Sequence, residues 1–215
     1  FCLGGRGTEG GIYRTTPDNP ATAAKPKSNS PVERALALPQ PSAAWTRAKV
    51  KELNTEAGDK SPPGLVKFAA DPARSVKHRL RAVGILQQFG DGPPRGLLVD
   101  LSTDKQPQLR GFALTLLAIQ IDDQAQDIIV GALARPSPAV RRRACEALIR
   151  ANRTAPVDVI LPMLAEQDRF VRYAAGELLQ RIPTDEWADQ VLAAKDPRIA
   201  AAGMLALVIK SPLPE

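Results

Sequence analysis

The sequence predicts an all-α fold, an α-α superhelix of stacked helix pairs, behind a short extended segment and a linker. Three observations predict it. A residue register recurs at near-constant spacing, each recurrence carries an apolar stripe of helical period, and helix-capping residues fall at the same place in each. His78, Leu109, Val140, Val171 and Ile199 stand at intervals of 31, 31, 31 and 28 residues. Four positions after each comes a small residue: Ala82, Ala113, Ala144, Ala175 and Gly203. Eight positions after each comes a leucine: Leu86, Leu117, Leu148, Leu179 and Leu207. Offsets of four and eight lie on one face of a helix with 3.6 residues per turn, and the small residue lets another helix approach closely.

In chain order, the first element is the stretch GGRGTEGGIYR, in which Gly5, Gly7 and Gly10 match the dinucleotide pattern G-x-G-x-x-G. That fingerprint needs a strand before it and a helix after it, because the pyrophosphate sits on the helix N-terminus. Only Phe1, Cys2 and Leu3 precede the glycines, and GIYRTTPDNP, which follows, has no helix signal. The stretch is better read as a turn followed by a strand through Ile12, Tyr13 and Arg14. A lone hairpin is not stable, so residues 1–14 are expected to be the remnant of an upstream β domain. The absence of an initiator methionine before Phe1 likewise points to a longer parent.

Residues 15–60 read as a linker with one or two short helices. The run TTPDNPATAAKPKSNS has no periodicity. Ser30 and Pro31 make an N-cap and first-turn pair for VERALAL. Ser42 is the candidate cap of AAWTRAKVKEL, with Trp45, Ala48 and Leu53 as its predicted buried face. The run EAGDKSPPG then breaks the chain.

Residues 61–215 hold about five helix pairs. Three positions before each anchor stand Ser75, Gln106, Ser137, Asp168 and Asp196, four of them good N-cap types. Pro107, Pro138 and Pro197 follow directly in three repeats, at the first helical position, where a missing N–H costs nothing. A first helix precedes each capped one: Val66, Leu97, Ile128, Val159 and Trp187 share the same spacing and open apolar segments such as DIIVGALA and DVILPMLA. A pair of short helices cannot bury its own stripe, so neighbouring pairs must stack. Right-handed superhelical stacking with the second helices on the inner side is the expected arrangement.

The segments SPAVRRRACEAL and DRFVRYAAGELL, with weaker copies in QPQLRGFALTLL and DPRIAAAGMLAL, resemble HEAT repeats, particularly the short bacterial HEAT-like kind. The resemblance covers about residues 61–210 and implies an interaction scaffold that binds a protein or holds adjoining domains of the same polypeptide. GGRGTEGGIYR is similar to the last strands of a β-propeller blade in large bacterial sorbosone-dehydrogenase-like proteins, and LPQPSAAWTRAKVKEL resembles their joining region. In those proteins a linker, HEAT-like repeats and often a c-type cytochrome segment follow the propeller. The resemblance implies an exported multidomain redox or sugar-binding parent. It places any quinone or metal chemistry outside this chain, which has no C-x-x-C-H motif.

No catalytic, metal or cofactor-binding residue is expected in the repeats. His78 is the only histidine and reads as a packing or solvent-edge residue, Cys145 as a small buried apolar one. No nucleophile-elbow motif is present. Asp168 and Asp196 are caps, and Asp127 and Asp158 are placed in the first turn of the preceding helices, where negative charge meets the positive end of the dipole. Glu146 and Glu177 fall off the apolar stripe and read as solvated. No apolar run reaches the roughly 20 residues of a membrane span.

The excess of 29 Lys+Arg over 23 Asp+Glu makes acidic partners worth weighing. Arg79, Arg110, Arg141 and Arg172 follow the anchors directly and should form a ladder along one side of the solenoid. It either locks the repeats together or meets a ligand. Ala200 ends the series, while Arg142, Arg143, Arg150 and Arg153 concentrate charge in the third repeat. A basic inner face permits nucleic-acid binding, as in the similar HEAT-like alkylpurine DNA glycosylases. Phe112, Phe170 and Tyr173 are the only aromatics in three repeats, too few for sequence-specific single-strand recognition. A third class, resembling bilin lyases with short HEAT-like repeats, would handle a small molecule.

Overall fold

Each predicted second helix forms where its cap and stripe place it. A computed structural model describes residues 30–210 and the backbone of residues 2–3 and 11–12. The second helices are α4 (Val76–Phe89), α6 (Pro107–Leu117), α8 (Pro138–Arg150), α10 (Arg169–Leu179) and α12 (Pro197–Lys210). Side chains of Ser75, Asp168 and Asp196 accept from the N–H groups of His78, of Phe170 and Val171, and of Arg198. Gln106 and Ser137 adopt the extended cap backbone without a side-chain bond. In the former case Asp104 accepts from the Gln106 N–H at 2.8 Å instead.

The first helices are α3 (Ser61–Ala70), α5 (Arg95–Ser102), α7 (Asp123–Ala132), α9 (Val157–Ile160) and α11 (Ala188–Leu192). α9 is short because Pro162 has no N–H to continue it, and the chain goes on as a 3-10 turn over Leu161–Ala165. Residues Leu98, Ile129 and Ile160 are fully buried, one position beyond the register Leu97, Ile128 and Val159. The last interval shortens between Leu179 and Trp187. There Trp187, 0% exposed, fills the core and donates its indole N–H to the Ile182 carbonyl at 3.2 Å.

Two helices precede these, α1 (Pro31–Ala37) and α2 (Ala44–Ala57). The expected face of α2 is corrected: Trp45 is 53% exposed and Ala48 is exposed, and the buried stripe is Thr46, Val50 and Leu53. Spacings of four and three put those three residues on one side, a hundred degrees from Trp45. Ala43 rather than Ser42 occupies the cap, and the Ser42 carbonyl accepts from the Arg47 guanidinium at 2.7 Å. Asp127 also lies beyond the first turn of α7; Asp122 caps that helix, accepting from the Ala125 N–H at 2.8 Å.

Helices pack in pairs, α1 on α2, α3 on α4, α5 on α6, α7 on α8, and α11 on α12, while α10 packs on the 3-10 turn after α9. Successive second helices also touch, α4 on α6, then α8, α10 and α12. A single apolar core therefore runs from Ala35 to Ala206. All four alanines of the small register are buried, as is Gly203, where an added Cβ would come within 2.4 Å of Val191. The second helix thus approaches the first by one methyl more in the last pair.

At the N-terminal side, strand β1 (Cys2–Leu3) pairs antiparallel with β2 (Gly11–Ile12), with Cys2 opposite Ile12 and Leu3 opposite Gly11. The glycines Gly5, Gly7 and Gly10, the strand predicted through Tyr13 and Arg14, and the C-terminal SPLPE lie outside the described residues. No helix among the described residues is long and apolar enough to cross a membrane.

Candidate functional site

Six of the arginines singled out from the sequence, the four of the ladder with Arg142 and Arg143, divide between two environments. The four of the ladder point into the turns. Arg79 is 3% exposed; its Nε donates to the Ala69 carbonyl at 2.8 Å and its Nη2 to Asp104 Oδ2 at 2.6 Å, one helix pair further on. Arg110 donates to the carbonyls of Asp104 and Lys105 at 2.7 and 3.2 Å. Arg141 donates to those of Arg135 and Pro136 at 2.8 and 3.0 Å and pairs with Glu166 of the next pair at 2.8 Å. Arg172 donates to those of Glu166 and Gln167 at 2.6 and 2.9 Å.

The pattern has a sequence cause. Arg110, Arg141 and Arg172 each reach the carbonyls five and six residues back, in the turn that joins the two helices of their own pair. One repeat further along, the register position that supplies Asp104 to Arg79 and Glu166 to Arg141 is Arg135 after Arg110 and Ala194 after Arg172. An ion pair therefore forms at Arg79 and Arg141, while that register position offers no acid to Arg110 or Arg172. Partial burial works to raise the Asp104 carboxyl. The Arg79 hydrogen bond, the Gln106 N–H and the charges of Arg79 and Arg110 outweigh it and hold the carboxyl below its usual range.

Arg142 and Arg143 instead line a groove of about 1020 Å³ between α2, α4, α6 and α8. Both converge on Glu146: Arg143 donates to it at 2.8 Å, and Arg142 Nε lies 3.3 Å from it without hydrogen-bond alignment. Gly111 carries Arg143 there, since a Cβ would meet the Arg143 stem at 3.1 Å. Sequence reasoning missed the other groove cations, Arg47, Lys77 and Arg81. The signal for two of them was present: Lys77 and Arg81 stand one position before and three after an anchor, the columns that also bring Gln108, Phe112, Ala139 and Arg143 to the groove.

Other singled-out residues take structural places. His78 is half-buried with its ring edge-on to Phe68, centroids 6.4 Å apart. Cys145 is buried, and burial pushes its thiol up to about 12. No group of three His, Cys, Asp or Glu side chains among the described residues is arranged to hold a metal ion.

The family model for HEAT repeats matches residues 125–207, from α7 to α12. Among solved structures, a crystal structure of an engineered protein is 17% identical, covering 82% of this chain and 95% of that one, with a TM-score of 0.42. No curated protein matches the chain. Over residues 125–207 the chain is thus similar to HEAT repeats, which commonly serve as protein-interaction scaffolds.

Proposed function

We propose that this chain is a non-catalytic scaffold that binds a protein or holds adjoining domains of one polypeptide in place. The observation that supports it best is the division of labour among the arginines. The ladder is engaged with carbonyls and carboxylates of its own and the next helix pair, while the second helices leave a large groove open. We further propose that residues 1–14 end an upstream β domain and that the parent is an exported, redox-related protein. The wording of GGRGTEGGIYR and its antiparallel ladder support that placement.

Nucleic-acid binding is the second reading, favoured by the five cations that line the groove. Titration of the purified chain with a labelled mixed-sequence DNA duplex at low and moderate salt tests the two. The scaffold reading expects no tight complex at about 150 mM salt. A Kd below about 1 µM there, falling steeply as salt is lowered, contradicts it.

A further inference from the structure

Three columns of the repeat register meet in the groove. They bring Lys77, Leu80 and Arg81 from α4, Gln108, Gly111 and Phe112 from α6, and Ala139, Arg142 and Arg143 from α8. The result is a floor of Val50, Leu80, Ile85, Phe89 and Phe112 beneath five cations, with no Asp or Glu among the lining residues. Among the described residues Glu146 alone pairs with Arg142 and Arg143. Arg47 and Arg81 are held by the neutral carbonyls of Ser42 and Ala35 at 2.7 and 3.0 Å, which fixes their heads, and among the described residues neither has an ion-pair partner. On α10 the same columns continue as Phe170 and Tyr173, 50% and 70% exposed, with the Arg142 guanidinium 5.6 Å from the Phe170 ring.

We infer that this groove binds an acidic peptide segment of a protein partner, with bulky apolar side chains seated on the floor and carboxylates on the Arg and Lys rim. The inference rests on the scaffold reading and names its partner. Charge complementarity selects the acidic character, since fixed guanidinium groups lose little freedom on meeting a carboxylate. The apolar floor of Val50, Leu80, Ile85, Phe89 and Phe112 selects the apolar anchors, which a peptide carries on the same segment as its carboxylates.

Gly84 supplies a test that spares the fold. It lines the groove in mid-helix, and an added Cβ meets nothing within 4 Å. Gly84→Trp therefore fills the groove from a position where glycine is the poorer helix former. A displayed library of random 12-residue peptides is selected on the full chain and counter-selected on the Gly84→Trp chain, with melting checked for both. The expected result is enrichment of peptides carrying several Asp or Glu together with Leu, Phe or Trp. Their affinity should fall at least tenfold with Gly84→Trp and with Lys77→Glu plus Arg143→Gln, at unchanged melting temperature. Selected peptides without acidic enrichment, or binding indifferent to Gly84→Trp, overturn the inference and leave the scaffold reading in place. A single-stranded oligonucleotide that binds more tightly than the peptides and is lost with Gly84→Trp overturns both.

Discussion

Arg79 of α4 reaches Asp104, in the turn of the next helix pair, at 2.6 Å, while its Nε holds the last-turn carbonyl of Ala69 in its own pair. One buried guanidinium thereby joins two repeats. Removing it leaves the Ala69 carbonyl and the Oδ2 oxygen of the part-buried Asp104 carboxylate without this donor. Arg79→Ala should cost about 3 kcal/mol in denaturant unfolding. A loss under about 1 kcal/mol would show that water replaces the contact at little cost.

The same pair sets a pH dependence. The folded chain holds the Asp104 carboxyl below its usual range, so the unfolded chain binds that proton more readily. The contribution is complete above the ordinary carboxylate pKa of about 4 and is lost as the pH falls through the lower folded value. Melting temperature should therefore drop on the acid side, and Asp104→Asn should flatten that drop while lowering stability near neutrality. An unchanged acid limb in the variant would count against the pair.

Two glycines should respond in opposite directions to alanine. At Gly203 the new methyl meets Val191 within 2.4 Å, so Gly203→Ala should destabilise by about 1–3 kcal/mol despite the better helix propensity. At exposed Gly131 in α7 nothing lies within 4 Å, and Gly131→Ala should stabilise by about 0.5–1 kcal/mol. Chemical denaturation of both variants checks the pair of signs.

The two tryptophans separate in the same way. Trp187 is fully buried at the base of α11, and Trp187→Ala should cost about 3–5 kcal/mol. Trp45, half exposed on α2, should change stability by less than about 0.5 kcal/mol when replaced by alanine.

Register positions that are buried in the middle of the array come to the surface at its C-terminal side among the described residues. Leu133 and Leu164 are buried, and their equivalent Leu192 is 63% exposed; Leu114 and Cys145 are buried, and their equivalent Met204 is exposed. Polar replacement of Leu192 should be tolerated, whereas Leu164→Ala should cost about 2–5 kcal/mol by thermal melting.

The second helices were legible in the sequence because three signals coincided there: an apolar stripe, a small residue for close approach, and a cap. Ser75, Asp168 and Asp196 cap as read. The first helices were less legible because their apolar runs are short, and a run such as DVILPMLA does not say that Pro162 will turn helix into 3-10 turn. Trp45 misled because large apolar residues draw attention, while the face of α2 is set by the spacing of Thr46, Val50 and Leu53. The arginine ladder could be seen as a row, but its acids could not, since only two of the four equivalent turn positions, Asp104 and Glu166, carry one while Arg135 and Ala194 do not. The groove is a property of several helices at once, and Arg47, from outside the register, joins it only in three dimensions.

Thermal melting of Arg141→Ala and Arg172→Ala, with groove binding measured on the same samples, tests most directly whether the ladder holds the repeats and the groove does the binding. The expected result is a melting temperature lowered by several degrees, more for Arg141 with its Glu166 partner than for Arg172, at unchanged affinity for groove-selected peptides. Unchanged melting together with lost binding would contradict it and make the ladder the ligand-facing surface.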